Sequence, residues 1–320
     1  MRRIGGGYGG KATPSFFIAC ATAVASWKVN KPVSFVMDLK TNSEFTGKRG
    51  DYLAKYKAGV DSNGLIQFVD ITINTDVGWS SAEGLSIGEC IPFAQNAYNS
   101  ATWNMTPIGV ITDKPRATAV RAPGSTQGHA IIENIMDHFA AKLEMDPLEF
   151  RLKNFLKEGD LMLHGGHKFS GTNPLPDMIG ELSKSSAFEE RKKAVETFNQ
   201  NNKWKKRGMS CVPVRYGVSL PPFPNYCHIS VYQNDGTISV SHGGIEMGQG
   251  INTKVAQTVA KCLDVPMEMI IVKPADALVS PNNICTGGST TSEAICSVRI
   301  LITFHFLIDI VKLKTILMFL

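Results

Sequence analysis

Three glycine-rich loops constrain the fold of this chain more than any other feature. They are residues 5–10 (loop 1), 243–250 (loop 2) and 286–292 (loop 3), and helix-like sequence follows each of them. Absent side chains let backbone N–H groups approach a ligand, and the positive end of the next helix favours an anionic or hydrogen-bonding group. A single loop of this kind is adequately explained as a tight turn between a strand and a helix. Three of them together predict one large polar ligand.

The composition excludes several classes of protein. Of the 320 residues, 43% are hydrophobic, which is enough for one large or two ordinary cores and excludes a disordered or collagen-like chain. The net charge of +5 falls short of the basic surface of a nucleic-acid binder, so no nucleic-acid partner is expected. The seven cysteines are scattered without a C-x-x-C pair, which predicts reduced thiols, a cytoplasmic location and no protein-bound metal.

The hydrophobic pattern predicts an α+β fold with two mixed α/β subdomains. We expect residues 1–200 to form the first and residues 201–298 the second, with the ligand cleft between them. A mostly buried helix is predicted at residues 15–27, followed by an antiparallel sheet. The predicted strands are residues 33–39, 52–60, 65–74, 209–218, 228–233, 238–242 and 267–273.

Further helices are predicted at residues 127–144, 148–155 and 252–263. In the first of these, apolar residues recur at helical spacing and should lie on one covered face: Ile131, Ile132, Ile135, Phe139 and Leu143. The polar residues 183–207 end in the basic run 203–207, which is either an anion patch or, more simply, part of a solvated helix and turn between the subdomains.

A fourth loop, residues 120–128, precedes the helix at residues 127–144 and is called the arginine loop below. Its Arg121 can donate forked hydrogen bonds to a carbonyl, a phosphate or a heterocyclic edge. Two nucleotide alternatives exist for loop 1. Gly5, Gly7 and Gly10 match a dinucleotide fingerprint, but its complete preceding strand and its acidic residue are missing. Gly5 and Gly10-Lys11 match most of a phosphate loop, but Ala12 stands where that loop has Ser or Thr.

Both ends of the chain are unusual. The amino end lacks the long apolar region of a signal peptide, and loop 1 has almost no strand before it. The apolar tail, residues 299–320, has three readings: a membrane anchor, a structural segment or translated non-coding sequence. Asp309, Lys312 and Lys314 disfavour the anchor, so no membrane association is expected.

Taken together, the residues of loop 1 with Lys11, the arginine loop, loop 2 and loop 3 resemble the molybdenum-cofactor part of the xanthine dehydrogenase and aldehyde oxidase family. The resemblance covers roughly Arg3 to Val298 and includes the order and spacing of the motifs. It implies a molybdenum–molybdopterin cofactor without protein ligands to the metal, and hydroxylation of the substrate at a Mo–OH/Mo=S centre.

The resemblance also implies roles for individual residues. Gly7, Tyr8 and Gly9 would lie beside the metal's oxygen ligand and the pterin, and Arg121 would help to bind the cofactor. The remaining cofactor residues would be Gly248, Gln249 and Gly250 on the phosphate side, and Gly288 and Ser289 at the metal's face. In the substrate pocket, Ala12, Pro123 and Leu220 replace a glutamate and two phenylalanines of the purine-oxidising branch. An aldehyde-oxidase-like pocket for aldehydes or azaheterocycles is therefore expected.

Other parts of the family pattern have no counterpart in these 320 residues. FAD and [2Fe-2S] clusters would belong to other domains of the complete enzyme, which is expected to be a homodimer. The family's catalytic base glutamate comes from a motif beyond this sequence, and neither Glu246 nor Glu293 belongs to that motif. The chain is thus expected to be inactive alone. The leading hypothesis is a fragment of an oxidoreductase; its alternatives are a non-catalytic truncated product that at most binds cofactor or an intact homologue and, last, a nucleotide-binding protein.

Overall fold

The structure, a computed structural model, describes residues 3–45, 47–80, 87–163, 166–217, 225–276, 278–281 and 283–297. The predicted pocket residue Leu220 and the apolar tail lie outside the described residues. The described chain is α+β, as predicted, with eight named α-helices and six named strands in two three-stranded sheets.

The chain forms two compact units, of which unit 1 combines Met1–Asp38 with Gly217–Leu320 and unit 2 is Leu39–Tyr216. The division at residue 200 that the sequence favours stays a prediction. The amino-terminal segment contacts loop 2, where the backbone N–H of Ile4 donates to the carbonyl oxygen of Glu246 at 2.9 Å. Loop 1 therefore belongs with the carboxyl-terminal half of the chain.

Unit 2 is a mixed sheet covered by helices. Its elements are α2 (Leu39–Phe45), β1 (Tyr52–Val60), β2 (Ile66–Gly78), α3 (Cys90–Gln95), β3 (Trp103–Ile111), α4 (Ser125–Lys142), α5 (Pro147–Lys153), α6 (Leu175–Ser185) and α7 (Phe188–Asn201). Strand β1 pairs antiparallel with β2, whereas β3 pairs parallel with β2. The predicted antiparallel pairing of residues 52–60 with residues 65–74 is therefore confirmed, whereas the parallel strand β3 was not predicted.

The wrong strand predictions have physical causes. Residues 33–38 form no strand, because β propensity without a pairing partner does not make one. Strand β3 was missed because it contains Pro107 and Gly109, residues that normally argue against a strand. Since β3 lies at the edge of the order β1–β2–β3, the missing N–H of its proline is tolerated there. The described part of the predicted strand at residues 209–218 is likewise irregular.

The core of unit 2 lies between the sheet and α4. Ile71 and Ile73 of β2 are fully buried, and the helix contributes Ile132, Ile135, Met136 and Phe139 to the same cluster. Ile131 and Leu143 are partly buried and pack against it. The covered face of α4 that the spacing predicts is therefore confirmed.

A buried ion network ties α4 to α5. The carboxylate of Glu133 accepts from the Nε of Arg151 at 2.6 Å and from the Tyr98 hydroxyl at 2.7 Å. Asn96 Nδ2 donates to the same carboxylate at 2.8 Å, and Arg151 also donates to Asp137 at 2.7 Å. Burial, followed by the charge of Glu133, raises the pKa of Tyr98, so its hydroxyl stays a proton donor. The network holds α4, and with it the arginine loop at its amino end.

Unit 1 contains α1 (Ser15–Val29), β4 (Cys227–Val231), β5 (Ile238–His242), α8 (Ile251–Leu263), a short 3-10 helix (Met267–Met269) and β6 (Ile270–Val272). Strand β4 pairs antiparallel and β6 parallel with β5. The core includes Val240, Val255, Val259 and Ile295. The predicted order of a strand, loop 2 and a helix is found as β5, loop 2 and α8, whereas the first part of the strand expected at residues 267–273 is the 3-10 helix.

Helix α1 is correctly placed by the sequence, but its predicted burial is wrong. None of its residues is buried, and Trp27 is 83% exposed. A helix that is apolar on all sides is buried only where other elements pack against all of its faces. The described residues of unit 1 do not surround α1 in this way.

No helix within the described residues combines the length and the hydropathy needed to cross a membrane. This finding does not extend to the apolar tail, and a membrane anchor stays an alternative for that segment.

Candidate functional site

Loops 1, 2 and 3 meet within unit 1. Loop 2 lies against the start of the chain, where the sulfur of Met247 is 3.5 Å from the position that a Cβ on Gly7 would take. It is joined to loop 3 by the backbone N–H of Ile245, which donates to Thr286 Oγ1 at 2.9 Å. We call this assembly the three-loop site. The sequence motifs that predicted one shared ligand are thus brought together by direct contacts.

Part of the backbone of the three-loop site faces unfilled space. A Cβ added to Gly5, Gly248, Gly250 or Gly287 would meet no other atom within 4 Å, so all three loops contribute open positions. Loop 1 also presents the ring of Tyr8, which is 62% exposed. This is the geometry of a cradle in which a ligand can approach the main chain directly.

Hydrogen-bond donors line this cradle. Among the described residues, no acceptor bonds the backbone N–H groups of Gly7, Gln249 or Ser289. Ser289 has a positive φ of 59° and follows Gly288 at 63°, so loop 3 turns sharply at these two residues. The site therefore offers several main-chain donors to an anionic or hydrogen-bonding ligand.

The polar side chains of Gln249 and Glu246 form hydrogen bonds within loop 2. Gln249 Oε1 accepts from the N–H of Met247 and its Nε2 donates to the carbonyl of Ile245, both at 2.8 Å. The N–H groups of Gly248 and Gly250 donate to Glu246 Oε1 at 2.9 and 3.1 Å. Both polar atoms of the Gln249 side chain are therefore hydrogen-bonded within loop 2, and the predicted role of Gln249 on the phosphate side stays a prediction. Its free backbone N–H is the group that a ligand can reach.

The arginine loop lies in unit 2, where a second arginine clamps it. Arg49 Nη2 donates to the carbonyl of Arg121 at 2.6 Å, and its Nη1 donates to the carbonyl of Ala122 at 3.1 Å. Arg121 itself is exposed. Sequence reasoning missed Arg49, because a clamp between positions 72 residues apart leaves no local pattern.

The same loop is seated against α3 by close backbone contact. A Cβ on Gly124, whose φ is 67°, would lie 2.5 Å from the carbonyl carbon of Glu89. A Cβ on Gly128 would lie 2.6 Å from the carbonyl oxygen of Cys90. Both positions therefore require glycine, and the tight contact fixes the turn that carries Arg121 and the partly buried Pro123.

Eight of the nine predicted cofactor residues lie in the three-loop site, namely Gly7, Tyr8, Gly9, Gly248, Gln249, Gly250, Gly288 and Ser289, and the exposed Ala12 follows loop 1. Arg121 and Pro123 lie in unit 2, and their convergence with the three-loop site stays a prediction. Within the described residues, no group of three His, Cys, Asp or Glu side chains could hold a metal ion.

Comparison with known proteins identifies the family. Two consecutive models, both described as "Molybdopterin cofactor-binding domain", match residues 1–155 and 181–298. Xanthine dehydrogenase of Oryza sativa subsp. japonica is 36% identical over 91% of the chain, and indole-3-acetaldehyde oxidase of Zea mays is 37% identical over 92%. The chain spans 21% and 22% of the length of these relatives.

Solved structures agree at the level of the fold. The aldehyde oxidoreductase of Desulfovibrio desulfuricans matches 91% of this chain and 32% of its own, with a TM-score of 0.77 and 24% identity. The aldehyde oxidoreductase of Desulfovibrio gigas matches 92% of the chain and 32% of its own, with a TM-score of 0.72 and 25% identity. The two family models cover both halves of the chain, and the loops that carry the motif meet in space. The chain belongs to the molybdopterin cofactor-binding domains of the xanthine dehydrogenase and aldehyde oxidase family.

Proposed function

We propose that this chain binds the molybdenum–molybdopterin cofactor through the three-loop site, with Arg121 as a further donor. The observation that supports this most strongly is the meeting of three glycine loops with open Cβ positions and unpartnered N–H groups in one unit. A pterin with a phosphate tail carries both heterocyclic acceptors and an anion, and main-chain donors suit both. The residues present therefore fit the group.

Each part of the site has a role in this proposal. In this proposal Gly7, Tyr8 and Gly9 of loop 1 would contact the pterin, and Gly288 and Ser289 of loop 3 would lie at the metal end. Loop 2 receives the phosphate side at the free N–H of Gln249, and Arg121 adds a forked donor. When bound, the cofactor supplies the redox chemistry by which an oxygen atom enters the substrate. The chain's own residues bind it and orient it.

For the substrate we propose an aldehyde or an azaheterocycle. Ala12 and Pro123 offer no charge and no strong hydrogen bond to fix a purine, and Leu220 adds apolar surface by its residue type. The complete enzyme is proposed to be a cytoplasmic homodimer with FAD and [2Fe-2S] clusters in other domains. The seven cysteines support a reducing compartment, since all are free. The 320-residue chain prepared alone is proposed to hold cofactor without sustained turnover.

Replacing Gly287 by valine is expected to abolish cofactor binding without unfolding the protein. A Cβ at this position meets no protein atom and the backbone φ is not positive, so the apo fold should tolerate the change. The valine side chain would occupy the cradle where the cofactor is proposed to lie and would thereby exclude it. We expect molybdenum and pterin per polypeptide to fall at least about tenfold, which corresponds to about 1.4 kcal/mol, after expression in a host that makes the cofactor.

Gly208→Val provides the matched control. Gly208 also has an open Cβ position and no positive φ, but it lies in unit 2 outside the loops. This variant should keep the cofactor content of the parent chain. Equal cofactor content in the two variants would show that the cradle at Gly287 does not contact the cofactor.

A further inference from the structure

Glu246 is a buried acid in loop 2 to which sequence reasoning gave no role. It is 5% exposed. Its Oε1 accepts from the N–H groups of Gly248 and Gly250 at 2.9 and 3.1 Å, and its Oε2 accepts from the N–H of Asn252 at 3.2 Å. One carboxylate therefore satisfies three main-chain donors where loop 2 turns into α8.

The electrostatics of this position resemble those of a bound anion. Burial raises the pKa of Glu246, but the donors Gly248, Asn252 and Gly250 and the charge of Arg3 outweigh it, so the pKa lies below its ordinary value. Helix α8 is 13 residues long, and its amino end favours negative charge. The place that an external phosphate would take at this helix end is thus filled by the protein's own carboxylate.

The contacts of Glu246 extend to the rest of the three-loop site. Its carbonyl oxygen accepts from Ile4, which anchors the segment leading into loop 1. The next residue, Met247, lies against Gly7, and the preceding residue, Ile245, is bonded to Thr286 of loop 3. A shift of Glu246 would therefore move the contacts that join all three loops.

A catalytic alternative is disfavoured by the same geometry. A general base needs a free lone pair directed at the reacting group and a pKa near the working pH. Both carboxylate oxygens of Glu246 already accept hydrogen bonds from within the loop, and its pKa is lowered. Its chemistry is that of a structural anion.

We propose that Glu246 is a positioning residue: its carboxylate acts as an internal anion that occupies the N–H groups of Gly248, Gly250 and Asn252 and thereby sets loop 2 in its ligand-binding shape. The inference rests on the proposed cofactor site. It implies that an anionic group of the ligand is bound by the other donors of the three-loop site, because these three are already taken.

The test compares E246Q and E246A with the exposed control E268Q in the full chain, by amide hydrogen exchange and by cofactor content. We expect exchange of the three N–H groups to rise at least about tenfold in E246A and less in E246Q, whose amide keeps one acceptor. Cofactor content should fall in the same order and stay unchanged in E268Q. Inorganic phosphate should slow exchange of the three groups in E246A and leave the parent chain unaffected.

Two results would overturn the inference. One is cofactor content in E246Q and E246A equal to that of the parent chain although exchange has risen. The other is slower exchange of Gly248 and Gly250 in the parent chain on addition of phosphate, which would show that an external anion takes these donors. If the parent chain binds no cofactor, the proposed function fails, while the exchange and phosphate arms still decide whether Glu246 acts as the internal anion.

Discussion

Replacing Arg151 by methionine is expected to destabilise unit 2 by about 3–5 kcal/mol, since breaking a buried ion pair leaves the partner charge uncompensated. Arg151 is fully buried, and it is the cation that faces the carboxylate of Glu133 at 2.6 Å. Tyr98 and Asn96 would still donate to that carboxylate, but neither carries a charge. Chemical denaturation, followed by a probe in unit 2, measures the loss.

A second substitution tests this cause. In R151M/E133Q the buried negative charge is gone, and we expect about half or more of the lost stability to return, because a neutral amide costs less to bury than an unpaired carboxylate. Asp137→Asn is the control, since its side chain is 54% exposed and its pair with Arg151 should contribute less than about 1 kcal/mol. If the double variant were as unstable as R151M, lost packing and not charge would be the cause.

Replacing Gly128 by alanine is expected to destabilise the protein by about 1–3 kcal/mol, the cost of forcing an extra carbon into a packed interior. The sign is the reverse of the ordinary one, because glycine to alanine inside a helix usually gains about 1 kcal/mol. The reversal follows from the contact of α4 with α3: the new carbon would lie 2.7 Å from the N atom of Ala94 and 2.6 Å from the oxygen of Cys90. The measurement is the midpoint of chemical denaturation.

Gly180→Ala in α6 is the matched control. Gly180 is also inside a helix, but a Cβ there meets no atom within 4 Å. This variant should gain about 0.5–1 kcal/mol, the ordinary propensity effect. Stabilisation by both substitutions would show that α3 and α4 do not approach as closely as the structure has them, and that the arginine loop is seated in another way.

The helices and the glycine loops could be predicted because their signals are local in the sequence. Helices α4 and α8 carry apolar residues at helical spacing, and the glycines of loops 1, 2 and 3 carry the conformational freedom that such loops need. The family motifs then indicated the cofactor and most of the site residues. Each of these signals lies within a few consecutive residues of the chain.

The features that sequence reasoning missed have no distinctive local signal. Arg49 binds a loop 72 residues away, so no local motif marks it. Glu246 lies inside loop 2, but its residue type does not show that its carboxylate accepts hydrogen bonds from the N–H groups of its own loop. Strand β3 forms despite Pro107, because an edge position tolerates it. Helix α1 has the composition of a buried helix, but composition does not reveal whether a covering element is present.

The central claim, that the three-loop site holds the cofactor, is tested most directly by amide hydrogen exchange of the chain with and without molybdopterin. We expect slower exchange at the free N–H groups of Gly7, Gln249 and Ser289 on binding, and little change at Gly248 and Gly250, whose N–H groups already donate to Glu246. Bound molybdopterin with unchanged exchange at Gly7, Gln249 and Ser289 would place the cofactor elsewhere and contradict the assignment.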